Sequence, residues 1–302
     1  MRGREAGSPD FDVAAEYMAA QMLAQGLKPG VDGGWFQPVT LTSYKPVDKT
    51  NWTLTRGAAK VPLQFGIDFI PTTGPILPTF SAEGGLVFAG YGVVYAQGGI
   101  DDYKGLDVRG KIVAIFPGVP KGLPGEVEAH FGDDDQKARL AQSRGAKAVI
   151  VLESPSRRAQ FPFEAVVPYW DYERSGWAGP DGKPNSPAPG APVIGYVGPI
   201  GAEKLFTGAR IKWADVIAAE KKGGKLPTGV LTGTLSASTK VRTRTVATRN
   251  VVGLLEGADP VLKDQVIVLS AHLDHVGIGE AVNGDRIYNG AMDNAVGNAV
   301  ML

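Results

Sequence analysis

The stretch from Lys111 to Leu152 constrains the fold most. Lys111-Ile112-Val113-Ala114-Ile115-Phe116 and Ala148-Val149-Ile150-Val151-Leu152 are nearly unbroken apolar runs of strand length. Both read as strands, the second of them buried. Between them, Asp133 to Ser143 reads as a helix: Asp133-Asp134-Asp135 suits the positive end of the helix dipole, and Gly145 closes the segment. Strand, helix and strand in that order predict an α/β unit.

The flanking sequence follows the same grammar. Ser8 is placed to cap a helix, Pro9 suits its first position, and Asp10 and Asp12 favour its first turn. Phe11, Ala14, Ala15, Met18, Met22 and Leu23 recur at helical spacing, and Gly26 and Pro29 end the pattern. Phe36 to Tyr44 and Trp52 to Thr55 have strand composition. Pro71, Gly74, Pro75 and Pro78 predict a connector, and Leu86 to Phe88 leads into Gly90-Tyr91-Gly92 at the start of a new unit. Residues 155–192 hold eight prolines with Tyr169, Trp170 and Tyr172, and read as a long loop, either functional or a variable excursion.

Composition narrows the function classes. The 302 residues suit two domains or one large one. With 43% hydrophobic and 21% charged residues, the chain can bury a real core. Lys plus Arg and Asp plus Glu are both 31, and a surface so balanced argues against nucleic acid or anionic membranes as main partners. No apolar run is long enough to span a bilayer. The absence of cysteine removes disulfides, thiolate zinc sites and cysteine nucleophiles.

The chemistry gathers near the C-terminal end. Gln265-Val266-Ile267-Val268-Leu269-Ser270 predicts a strand buried on both faces, delivering Ala271-His272-Leu273-Asp274-His275 at its edge, where α/β sheets usually place ligands. In extended chain, His272 and Asp274 point to one side and His275 to the other. A carboxylate beside an imidazole fixes its tautomer, an arrangement common around zinc. Asn289-Gly290-Ala291-Met292-Asp293-Asn294 predicts a turn entering a helix, with Asp293 able to offer two oxygens to one or two metals. On spacing alone, His272 can equally be a hydrogen-bonded loop residue; His275 reads as structural or rim, and His130 as an exposed turn residue.

Three motifs in order, Asn250 to Gly257, Ser270 to His275 and Tyr288 to Asn294, resemble the co-catalytic di-zinc aminopeptidase family. Its members include bacterial leucyl aminopeptidases, glutamate carboxypeptidase II and the catalytically inactive transferrin receptor. Gly3 to Pro9 and the helix after it are similar to the segment that opens the peptidase domain. Gly90-Tyr91-Gly92, Asp101-Asp102-Tyr103, Gly105 to Lys111 and Lys137 to Leu152 resemble an inserted protease-associated domain.

The resemblance implies a partial zinc-exopeptidase α/β/α sandwich with a mixed sheet, interrupted by that α/β insert. Residues 1–83 would be the N-terminal part of the peptidase domain, 84–225 the insert, and 226–302 the first part of the metal-site core. His272 would bind one Zn2+, Asp293 would bridge two, Asp274 would be the catalytic-site carboxylate orienting His272, and Asp293–Asn294 would be a cis peptide. The expected function is zinc-dependent release of N-terminal residues from peptides with a free N-terminus. The expected location is the periplasm or cell exterior. The family's catalytic Glu and remaining ligands would lie beyond Leu302, so the chain is expected to be a fragment, truncated at both ends and inactive alone. A transferrin-receptor-like binding protein, or a carboxypeptidase or glutaminyl cyclase on the same scaffold, are the alternatives.

Overall fold

A computed structural model describes residues 1–72 and 78–302. The expected connector therefore falls partly outside the described residues, at Gly74 and Pro75. The chain divides into two compact units: Met1–Thr42 with Trp177–Lys183 and Thr245–Leu302, and Ser43–Gly176 with Pro184–Arg244. These units cut the chain at points other than the boundaries at 83 and 225 expected from the resemblance.

The first unit opens with helix α1, Pro9–Ala24. The Ser8 hydroxyl accepts the Phe11 N–H at 3.2 Å, and Pro9 occupies the first turn as expected. Phe11, Ala14, Ala15, Met18, Ala19 and Met22 are buried. Leu23, assigned to that face from its spacing, is exposed instead. The opposite face is fixed by charge: Arg249 Nη2 stands 2.6 Å from Asp12 Oδ1.

The second unit is built on a large mixed sheet. Its strands are β1 (Trp52–Arg56), β2 (Ala59–Leu63), β3 (Phe69–Pro71), β4 (Thr79–Phe88), β5 (Ile112–Ile115), β6 (Ala148–Leu152), β7 (Val193–Val197) and β8 (Gly229–Val251, in this unit as far as Arg244). The order is β1-β8-β4-β5-β6-β7-β3; β4 to β7 are mutually parallel, and β3 and β8 are antiparallel to their neighbours. Helix α2, Asp134–Ser143, links β5 to β6, and the Asp133 carboxylate caps it by accepting the Asp135 N–H at 2.7 Å. Every residue of β5 and β6 is buried, so the apolar runs mean what they predict.

The core of this unit is aromatic as well as aliphatic. Trp52 stacks on Phe69 with ring centroids 4.3 Å apart, and its indole N–H donates to the Ser238 carbonyl at 3.0 Å. Gly195 on β7 passes directly beneath Trp52, where a Cβ would lie 2.6 Å from the indole. The 155–192 segment is not one long loop. Pro155–Gln160 and Phe163–Val166 are short helices, because Ser154 caps the first by accepting the Arg157 N–H at 3.1 Å and Pro155 occupies its first turn.

Back in the first unit, Gly277–Val282 (β9) and Asp285–Tyr288 (β10) form a hairpin turned at Asn283-Gly284, both at positive φ. Positive φ at both central residues is the requirement of the hairpin turn that Asn-Gly favours. Gln265–Ser270, however, is not a strand, and Val266, Ile267, Val268 and Leu269 are 73–88% exposed. Among the described residues nothing pairs with this run, and an apolar segment becomes a buried strand only when neighbouring strands satisfy its backbone and layers cover its faces.

Candidate metal centre

Two loops carry the chemistry-bearing residues. The first, His272 to His275, is irregular chain leading into β9. The second begins at Gly290, in the left-handed region at φ 63°, and continues through Ala291–Ala295 into helix α3, Val296–Met301. The Asp293–Asn294 peptide is cis, as the resemblance implies.

The structure brings His272 and Asp293 together: Nε2 lies 2.9 Å from Oδ1. The other ring nitrogen, Nδ1, lies 3.0 Å from the main-chain carbonyl of Asp274 and 3.5 Å from its carboxylate Oδ1. Asp274 therefore orients the ring through its backbone more closely than through its side chain. His275 does not face away. Its Nδ1 stands 3.8 Å from Asp293 Oδ2, so the two oxygens of one carboxylate each look toward a different imidazole. The alternation expected for an extended strand fails here because residues 271–276 are not in one.

These contacts test whether a cation fits. Both nitrogens of His272 face oxygen acceptors, and a neutral imidazole carries only one N–H. With the hydrogen on Nδ1, Nε2 and Asp293 Oδ1 are two lone pairs that need a proton or a metal ion between them. Zinc bonds of about 2.0–2.1 Å at a tetrahedral angle set neighbouring ligand atoms roughly 3.3 Å apart. The 2.9 Å pair is close to that spacing and fits one edge of such a shell. Among the described residues no group of three or more His, Cys, Asp or Glu side chains is placed to hold one ion, so the set fits a metal as part of a shell rather than a whole one.

Two residues that the sequence did not single out hold these loops. Arg4, with only 8% of its surface exposed, donates from Nε to the Leu273 carbonyl at 2.8 Å, from Nη1 to Asn289 at 2.6 Å and from Nη2 to Gly290 at 3.0 Å. Asn298 on α3 donates to the carbonyls of His272 at 2.7 Å and Asn294 at 2.8 Å. Apart from the Asn294 carbonyl, their acceptors are backbone atoms remote in sequence, which leave no motif. Only the Asn294-x-x-x-Asn298 spacing, one helical turn, hinted at the second.

Residues 250–302 match the family model described as Peptidase family M28. That match covers the C-terminal part of the chain alone. The matched segment contains His272, Asp274, His275 and Asp293. Solved structures similar to the chain include an aminopeptidase from Aneurinibacillus sp. strain AM-1, 21% identical with a TM-score of 0.41, over 98% of this chain and 53% of that one. Another is BSAP, a zinc aminopeptidase from Bacillus subtilis, 18% identical with a TM-score of 0.34, over 98% of this chain and 51% of that one. The chain thus spans about half the length of these structures. No curated protein sequence matches it.

Elsewhere, a groove of about 430 Å³ in the second unit is lined by Phe206, Trp213, Ile217, Glu203 and Lys212 among others, and contains none of the histidines. Among the described residues no helix is long and apolar enough to cross a membrane.

Proposed function

We propose that the segment matching Peptidase family M28 carries part of a zinc-dependent aminopeptidase centre, acting on peptides with a free N-terminus. His272 and Asp293 would hold the metal, and Asp274 would position His272. The observation that carries this reading is the 2.9 Å approach of His272 Nε2 to Asp293 Oδ1 inside the segment that matches a peptidase family. Zinc bound there supplies Lewis acidity toward the scissile carbonyl and lowers the pKa of a bound water. The chain's own residues prepare the donors: the Asp274 carbonyl takes the Nδ1 hydrogen, which leaves the Nε2 lone pair for the cation. Asn298 fixes the His272 backbone and the residue after Asp293 from the other side.

The same reading takes residues 84–225 as a protease-associated insert and the enzyme as exported, which cell fractionation tests. Zinc titration of the chain and hydrolysis of aminoacyl anilides by the enzyme that contains it test the activity. His272→Ala and Asp293→Ala are expected to abolish both. Wild-type zinc binding without hydrolysis of any aminoacyl anilide would point to a binding protein instead.

A further inference from the structure

The N-terminal turn of the chain reaches the two metal loops through backbone as well as side chain. Gly277 N–H donates to the Gly3 carbonyl at 3.1 Å, and His275 N–H donates to the Arg4 carbonyl at 3.2 Å. Gly3 lies so close to Gly277 that a Cβ there would come within 2.2 Å of its carbonyl oxygen. Arg4 is itself in the left-handed region at φ 53°, uncommon for a residue with a side chain. That conformation belongs to a turn whose guanidinium is almost entirely enclosed.

The three carbonyls that the guanidinium binds are not an arbitrary set. Leu273 lies between His272 and Asp274, whereas Asn289 and Gly290 begin the turn that presents Asp293. One rigid planar fork therefore spans both loops. Among the described residues no carboxylate lies within ion-pair distance of Arg4, so its charge is satisfied by peptide dipoles alone. Hydrogen bonds from a charged donor are stronger than neutral ones. Gly290 completes the fit: a Cβ there would lie 2.7 Å from Arg4 Nη2 and 2.6 Å from His275 Cγ.

We propose that Arg4 is a positioning residue that sets the separation of the His272 and Asp293 loops, so that metal affinity depends on a side chain that touches no metal. A lysine cannot replace it, because an ammonium is a point donor on a flexible stem and lacks the fork that reaches three divergent carbonyls. The consequence for zinc rests on the peptidase reading above; the spacing of the loops does not.

The test uses the metal-free chain labelled with 15N, comparing imidazole nitrogen spectra of wild type, Arg4→Lys and Arg4→Met, followed by competition titration with Zn2+. His130, in the second unit, serves as the internal control. Both variants are expected to shift and broaden the His272 and His275 signals while leaving His130 unchanged, and to weaken zinc binding by about 10–100-fold. Methylguanidinium added to Arg4→Ala is expected to return the signals toward wild type, which a general loss of stability would not allow. If Arg4→Met fails to fold, Arg4→Lys decides. Imidazole spectra of Arg4→Lys that superimpose on wild type would overturn the proposal. Should the wild-type chain bind no zinc, the peptidase reading fails and the spectra alone judge Arg4.

Discussion

Single residues at the centre are constrained by backbone as much as by chemistry. Gly290 combines positive φ with a Cβ position only 2.5 Å from the Asp293 carbonyl oxygen. Gly290→Ala is expected to cost about 1–3 kcal/mol of local strain and to displace Asp293; faster amide exchange over residues 289–298 with unchanged exchange in β5 and β6 would show it. In the second unit, Asp102 accepts the N–H groups of Tyr91 and Val93, each at 3.1 Å. Burial nevertheless raises its carboxyl above the ordinary range. A carboxyl that binds its proton more firmly when folded stabilises fully below about pH 4 and loses that contribution as pH rises through the folded value. Asp102→Asn removes the dependence. Urea unfolding is expected to favour wild type over this variant most near pH 4, with the difference shrinking toward pH 7.

At the scale of elements, packing decides what the sequence could reveal. Helix α1 was legible because Ser8, Pro9 and an apolar stripe act within a few residues of one another. The β5–α2–β6 succession was legible because its strands are buried by their own neighbours in the described fold. Gln265 to Ser270 carries the same signal, yet its meaning depends on partners the run does not contain. The β9–β10 hairpin carries a turn signal at Asn283-Gly284, but its flanking residues alternate too weakly to mark two strands. At the candidate metal centre, spacing alone leaves His272 open and the family resemblance singles out His272, Asp274 and Asp293, while nothing in the sequence singles out Arg4, since a guanidinium that binds carbonyls more than 260 positions away leaves no local pattern. Packing also predicts a cost on β7. Gly195→Ala forces a methyl against Trp52, and thermal or urea denaturation is expected to show a loss of about 1–3 kcal/mol.

For the molecule as a whole, the exposed run Val266–Leu269 meets a net charge of zero and an isoelectric point near 6.9. β-branched residues without charge or proline are the composition that pairs edge to edge between chains, and a neutral molecule lacks the repulsion that keeps chains apart. Self-association is therefore expected to peak near neutral pH and to fall on either side. Ile267→Lys, which places a charge in the run outside the His272 and Asp293 loops, is expected to reduce it at pH 7. Light scattering across pH for the two proteins measures both effects; equal scattering would show that the run is harmless.

The bond between Arg4 and Gly290 joins residues 286 positions apart. A ribosome adding roughly 5–20 residues per second needs about 15–60 s to cover that distance. Through that interval the nascent guanidinium waits without its carbonyls. The turn that organises these loops thus leaves the ribosome well before the carbonyls it binds.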